Sequence, residues 1–299
     1  MKKQENKSVI TALSVGIVCI LIFAALFMLN SEVFTNGVHE TFEKDLLDSF
    51  VEIIDVGQGD SILIYSDGYS ALIDTGLEDA SSNVCKALNK YNIDELDVLL
   101  ITHLDFDHTG SVAKLTELYK VTNLILPELS VESEGLTAAE IAINRVAKSG
   151  GEIYTAKQGM NFEIGKFEIT VLAAFENMNE ENNRSVITMA ELAGKKFLFT
   201  GDMEAKCERA FLKEGLDFKC DVLKVAHHGS ASSSIEDFLN EAKPKYAAIS
   251  VGADNPYGHP HKEVLARLDE MNCEIYRTDL NGNIIFTVEN KKIKVATDR

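Results

Sequence analysis

The chain has 299 residues, with 29 Lys and Arg against 47 Asp and Glu, for a formal charge of −18. Hydrophobic residues make up 45% of it and only 4 are Pro, so apolar surface is sufficient to offset chain entropy and general disorder is excluded. The acidic excess also excludes a broad surface for polyanions, which must be met at a local site if at all.

Residues 9–29, VITALSVGIVCILIFAALFML, carry no charge and match the ~20 residues a helix needs to cross a bilayer core. Lys2, Lys3 and Lys7 precede this run, and Glu32, Glu40, Glu43 and Asp45 follow it. The positive-inside rule then predicts a cytoplasmic N-terminus (1–8), a single-pass anchor in the cell membrane (9–29), a polar tether (30–49) and an extracytoplasmic domain (50–299). The run is longer than a signal-peptide core and ends Phe27-Met28-Leu29-Asn30, with no small-x-small cleavage site.

From Phe50 onward, Val51–Val56, Ser61–Tyr65 and Tyr69–Asp74 read as a strand meander with Gly-containing turns. A helix is predicted over 83–91, a strand over 98–101, a helix over 111–118, a strand over 123–126 and a helix over 138–148. Strands follow at 167–172, 185–192 and 196–200. Helices over 205–213, 235–241 and 263–271 then alternate with strands at 222–225, 246–251 and 274–277, before strands at 284–288 and 293–296. Ser82, Thr137 and Ser234 mark helix starts. Such an order predicts two mixed sheets with helices outside and polar loops at the strand ends. Cys85, Cys207, Cys220 and Cys273 show no C-x-x-C spacing and read as buried free thiols.

Six of the seven His fall in three close pairs, His103/His108, His227/His228 and His259/His261, a distribution that points to a shared site. The apolar strand at 98–101 runs directly into His103, Asp105, Asp107 and His108. Imidazole nitrogen and carboxylate oxygen suit Zn²⁺, and carboxylate also suits Mn²⁺. Two later strands end in the same way, one in Gly201-Asp202 and the other in His227-His228-Gly229-Ser230. In Asn255-Pro-Tyr-Gly-His259-Pro-His261 two prolines stiffen a loop from which His259 can touch a phosphate or act as a general acid. Asp55, Gln58 and Asp60 occupy a Gly-rich turn, either lining a site or serving the turn itself. Lys224, Lys243, Lys245 and Lys262, near strand tips, read as solvated.

The pattern His103-x-Asp105-x-Asp107-His108 resembles the metal motif of the metallo-β-lactamase superfamily. With Asp55-Val-Gly-Gln-Gly-Asp60-Ser, Ala226-His-His-Gly-Ser230 and Gly258-His-Pro-His261, it resembles the ComEC-like branch, the hydrolase domain of bacterial competence proteins. The resemblance runs from about residue 50 to 299 and implies an α+β fold, a four-layer αββα sandwich, here preceded by the transmembrane helix. It implies one or two divalent ions, Zn or Mn, with His103 and Asp105 on one and Asp107 and His108 on the other. Asp202 would bridge them, one of His227 and His228 would complete the second site, and Asp74 would orient ligands. Asn183 stands where most members of the superfamily supply a further His. Asp107 and His259 are the expected catalytic groups, with Asp55, Asp60, Ser230 and His261 around them. The implied activity is metal-dependent hydrolysis of phosphodiesters, nucleic acid included, with the membrane as the other partner and no protein partner evident. Rival readings are an ester, thioester, β-lactam or cell-wall phosphocholine ester hydrolase on the same fold, and a non-catalytic membrane-anchored binding protein.

Overall fold

Ser49–Ile53 (β1), Ile62–Ser66 (β2) and Tyr69–Ile73 (β3) form an antiparallel meander, each turn carrying glycine. The computed structural model describes residues 48–299, apart from Val131, Glu176 and Asn177. The segments read as cytoplasmic tail and membrane anchor, and nearly all of the tether, lie outside the described residues. Among those described, no helix is long and apolar enough to cross a membrane.

The chain continues through Ser81–Lys90 (α1), Glu95–Leu100 (β4), Phe106–Thr109 (α2), Val112–Leu118 (α3), Lys120–Leu126 (β5), Leu136–Lys148 (α4) and Glu152–Thr155 (β6). Next come Asn161–Ile164 (β7), Phe167–Ala173 (β8), Ile187–Leu192 (β9), Lys195–Phe199 (β10), Ala205–Lys213 (α5), Val222–Lys224 (β11) and Glu236–Ala242 (α6). Tyr246–Ile249 (β12), Lys262–Glu270 (α7), Glu274–Arg277 (β13), Thr278–Asn281 (α8), Ile284–Glu289 (β14) and Lys292–Thr297 (β15) complete it.

Two sheets result, ordered β15-β14-β1-β2-β3-β4-β5-β6 and β13-β12-β11-β10-β9-β8-β7. Strands β3 to β6 run parallel, as do β10 to β13, because helical crossovers return the chain to the same end. Alternate residues of β2 show why the layers form. Ile62 and Ile64 join Val51, Ile53, Phe167, Phe197, Phe199 and Phe286 in the core between the sheets, while Leu63 is buried on the opposite face. A second core packs the outer face of the seven-stranded sheet against Cys207 and Phe211 of α5, Phe238 and Leu239 of α6, and Val264 and Leu268 of α7. Helices α3 and α4 cover the other sheet at β5. The arrangement is an α/β sandwich, helices outside two central sheets, as the resemblance implies.

Several local expectations are corrected. Strands β6 and β7 escape the sequence because β6 is exposed along its length and β7 buries only Ile164, leaving no apolar alternation to read. Ser82, Thr137 and Ser234 do not cap their helices through their side chains. At α6 the carboxylate of Glu208, reaching from α5, instead accepts the amides of Ser234 and Ile235 at 2.6 and 2.9 Å. Among the described residues all cysteines are free; Cys207, Cys220 and Cys273 are buried.

Candidate metal centre

Strands β4, β10, β11 and β12 deliver their C-terminal ends to one rim, the place where parallel strands leave room for chemistry. Beyond β4 the chain passes Thr102 and His103 and enters α2, which carries Asp107 and His108. Beyond β10, Gly201 adopts φ +50°, and a Cβ there would lie 2.7 Å from Ser185 Oγ. Only glycine lets this turn sit so close, and it presents Asp202, whose amide donates to Ser185 Oγ at 2.9 Å. Beyond β11, His227 and His228 both take left-handed backbone angles (φ 50° and 54°). That conformation is costly for a residue with a side chain and marks a turn imposed by its surroundings.

One atom each from Asp107, His108, Asp202 and His228 lies within 4.8 Å of the others. His228 Nε2 is 3.1 Å from Asp107 Oδ2 and 3.3 Å from Asp202 Oδ2. His108 Nε2 is 3.3 Å from Asp202 Oδ1 and 3.9 Å from Asp107 Oδ1. A tetrahedral ion with ligands at ~2.0–2.2 Å sets its donor atoms roughly 3.3–3.6 Å apart, and these contacts of 3.1–3.9 Å lie around that spacing. His108 Nε2 and Asp202 Oδ1 are buried without a hydrogen-bond partner, as atoms aimed at a common ion would be.

The charges point the same way. Burial disfavours the imidazolium of His108, yet Asp202 and Asp74 outweigh it and hold its pKa well above the ordinary value. Burial likewise works against His228, and Asp202 with Asp107 overturns it. Burial pushes Asp107 up, but the hydrogen bond from His228 and the two imidazolium charges bring it to about 2. Asp202 is driven well below the carboxylate range against burial by His228 and His108. Two protons thus balance two carboxylates, and a dication is the natural replacement for both.

The two imidazoles are held from behind. Asp74 is fully buried; its Oδ2 accepts from His108 Nδ1 at 2.8 Å and Thr102 Oγ1 at 2.7 Å, while Oδ1 accepts the Thr102 amide at 2.8 Å. The proton on Nδ1 leaves Nε2 free to ligate. His228 Nδ1 donates to the Ser250 carbonyl at 3.0 Å, with Asp60 Oδ1 3.5 Å away. Thr102 and Ser250 carry no ligand-type signal in the sequence. Thr102 only adjoins His103, and Ser250 acts through its backbone, which no residue type reveals.

Not every predicted residue joins the cluster. His103 is buried beside His108, with ring centroids 4.1 Å apart, and its unpartnered Nε2 lies 3.7 Å from Asp105 Oδ2, a two-donor pair. Of the adjacent pair, His228 joins the four donors, whereas His227 stands at the rim with Nδ1 3.5 Å from Glu204 Oε1 and Nε2 3.9 Å from Asp202 Oδ2. Asn183 joins no donor group; its Oδ1 accepts the amides of Glu204 and Cys207 at 3.1 and 3.2 Å, holding the start of α5, whose free amides need an acceptor. Asp55 serves its turn, accepting the Gly57 amide at 3.2 Å and pairing with Arg299 at 3.2 Å. Ser230 Oγ pairs with Ser232 Oγ at 3.0 Å, and His261 Nδ1 accepts the Ala231 amide at 3.0 Å, so both brace the histidine turn. Lys224 is buried rather than solvated.

His259 sits above the cluster, its ring 5.5 Å from His227 and 6.2 Å from His228, under Tyr257 at 5.6 Å. Its Nδ1 is buried and unpartnered. Burial, together with His228, His227 and His261, lowers its pKa to about 4, so it is a neutral imidazole at pH 7. Beside Asp105 opens a cleft of about 570 Å³ lined by Ser130, Glu132, Ser133, Glu134, Glu181 and Arg184, among others.

Residues 54–253 match the Metallo-beta-lactamase superfamily. The chain is similar to ComE operon protein 3 of Bacillus subtilis, 32% identical over 81% of this chain and 33% of that protein. It is 29% identical to Competence protein ComA of Neisseria gonorrhoeae (82% and 33% covered) and 31% identical to Recombination protein 2 of Haemophilus influenzae (83% and 30%). It therefore spans about a third of the length of these relatives. Among solved structures it resembles the metallo-beta-lactamase fold protein YhfI of Bacillus subtilis, with TM-score 0.52, 14% identity and 77% of this chain and 97% of that one covered. CmlA, a diiron β-hydroxylase from Streptomyces venezuelae, gives TM-score 0.53 and 11% identity over 84% and 54%. At these identities the likeness is one of fold.

Proposed function

Because the chain belongs to the metallo-β-lactamase superfamily, in its ComEC-like part, we propose that it is a metal-dependent hydrolase of phosphodiesters, nucleic acid included. The observation that carries this reading is the convergence of Asp107, His108, Asp202 and His228, with buried atoms left unpartnered at its centre. Two imidazoles and two carboxylates suit Zn²⁺ or Mn²⁺. A divalent ion held there supplies a Lewis acid to a phosphoryl oxygen and lowers the pKa of water.

The remaining work falls to the chain itself. Asp74 and the Ser250 carbonyl fix the tautomers of His108 and His228, so that both present Nε2. Asp107, a quarter exposed, is the cluster carboxylate that solvent and substrate can reach, and it accepts a proton or orients water there. His259 enters as a neutral imidazole placed to hydrogen-bond a phosphate or to assist at the leaving oxygen. The competence and recombination names of the relatives favour a nucleic-acid phosphodiester over an ester or lactam. The charge-free run at 9–29 supports attachment to the membrane with the domain outside the cytoplasm.

The purified chain, with Mn²⁺ or Zn²⁺, is expected to cleave bis(p-nitrophenyl) phosphate or short single-stranded DNA. Asp202→Ala and His108→Ala are expected to abolish this, and activity retained in both overturns the metal mechanism.

A further inference from the structure

Lys224 ends β11, just before the histidine turn, and is 1% exposed. Its Nζ lies 2.7 Å from Asp60 Oδ2 and donates to the Val225 carbonyl at 3.0 Å. Asp60, equally buried, belongs to the other sheet, in the turn between β1 and β2. Its amide donates to the Asp107 carbonyl at 3.1 Å, its carbonyl accepts from Gly76 at 2.8 Å, and its Oδ1 stands 3.5 Å from His228 Nδ1. At neighbouring Gly59 a Cβ would lie 2.2 Å from the Asp107 carbonyl oxygen, so this turn is seated on the backbone that carries Asp107. Asp60 therefore meets one metal-site residue through its main chain, another through its carboxylate, and the opposite sheet through Lys224.

We propose that the Lys224–Asp60 pair is a clamp between the two sheets that sets the spacing of the Asp107/His108 and Asp202/His228 donors. Both are positioning residues, and the inference rests on the reading of those four side chains as a metal site. A buried ion pair adds little net stability over apolar residues of the same volume, and fixing a register is its better-attested use. A cation beneath a dication site works against binding unless its charge is cancelled, and the short contact with Asp60 cancels it. Among the described residues the Asp74 carboxylate, in contrast, accepts hydrogen bonds from Thr102 and His108 alone. The two imidazoles are thus held unlike one another, His108 by a full carboxylate and His228 by a carbonyl beside a neutralised one.

The full chain, Lys224→Met, Asp60→Asn, their double variant and the charge-conserving Lys224→Arg are titrated with Zn²⁺ and Co²⁺. Circular dichroism and cooperative unfolding identify the variants that fold without metal, and Co²⁺ visible absorption reports the coordination. Each folded variant is expected to bind about 10- to 100-fold more weakly, with an altered Co²⁺ spectrum, and the double variant does so although its charge balance is restored. Lys224→Arg keeps the charge and the fold if Lys224→Met loses them. A folded double variant or Lys224→Arg with unchanged affinity and spectrum overturns the clamp. A parent chain that binds neither ion overturns the metal reading and the clamp with it.

Discussion

Asp74→Asn tests how the imidazole of His108 is held. The native carboxylate is fully buried and takes three donors: the Thr102 amide on Oδ1, and Thr102 Oγ1 and His108 Nδ1 on Oδ2. Asp74 has φ +59°, a left-handed conformation that Asn also tolerates, so the backbone survives the change. The amide, however, has one oxygen. If that oxygen faces His108, the new NH₂ meets the Thr102 N–H and leaves a buried donor unsatisfied, at a cost of about 1–3 kcal/mol. If it faces the Thr102 amide, the NH₂ meets His108 Nδ1 and drives the proton to Nε2, the nitrogen offered to the ion. Either way metal affinity is expected to fall about 10- to 100-fold, or about 1.4–2.7 kcal/mol. Calorimetric titration with Zn²⁺, beside thermal unfolding of the metal-free protein, measures both losses. A folded Asp74→Asn with parental affinity refutes the argument.

Metal binding should displace the protons that His108 and His228 carry, so calorimetry in buffers of different ionisation enthalpy should show more than one proton released per ion near pH 7. No release contradicts the charge argument. Burial raises the Glu208 carboxyl to about 7 from an ordinary 4.5, so the folded state retains its proton where the unfolded chain has lost it. Stability then falls as pH rises from about 4.5 to 7, by at most about 3 kcal/mol, and Glu208→Gln should flatten that slope in denaturant titrations. Gly59→Ala forces a Cβ against the Asp107 backbone at φ +125° and should cost about 2–3 kcal/mol of stability; an unchanged denaturation midpoint contradicts this contact. His259→Ala should leave metal affinity within about twofold while lowering turnover roughly 10²–10⁴-fold, and the reverse pattern would assign it to the metal.

The parts of the fold legible in the sequence were those with short apolar runs or one apolar helix face. The β1–β3 meander and the helices at 81–90 and 136–148 carry apolar residues at strand or helix spacing. Strands β6 and β7 lack that signal because β6 buries nothing and β7 only Ile164. At the site, ligand-type residues at strand ends stood out, since imidazole and carboxylate rarely cluster without reason. What escaped was what depends on the other sheet. Nothing in Val222-Leu-Lys224 says that the lysine turns inward, because its partner Asp60 is far away in sequence. Nothing in His227-His228 distinguishes the two until the Ser250 carbonyl holds one ring inward and Glu204 holds the other at the rim. Asn183 looked like a ligand by position alone, whereas the amides of α5 claim its oxygen.

The central claim is that Asp107, His108, Asp202 and His228 together hold one divalent ion. Anomalous diffraction from zinc-loaded crystals of the chain, recorded on both sides of the zinc absorption edge, tests it most directly. A peak in coordinating contact with all four side chains is the predicted result. A peak that His227, His259 or His261 holds without them, or none in protein that has taken up no zinc at saturation, contradicts it.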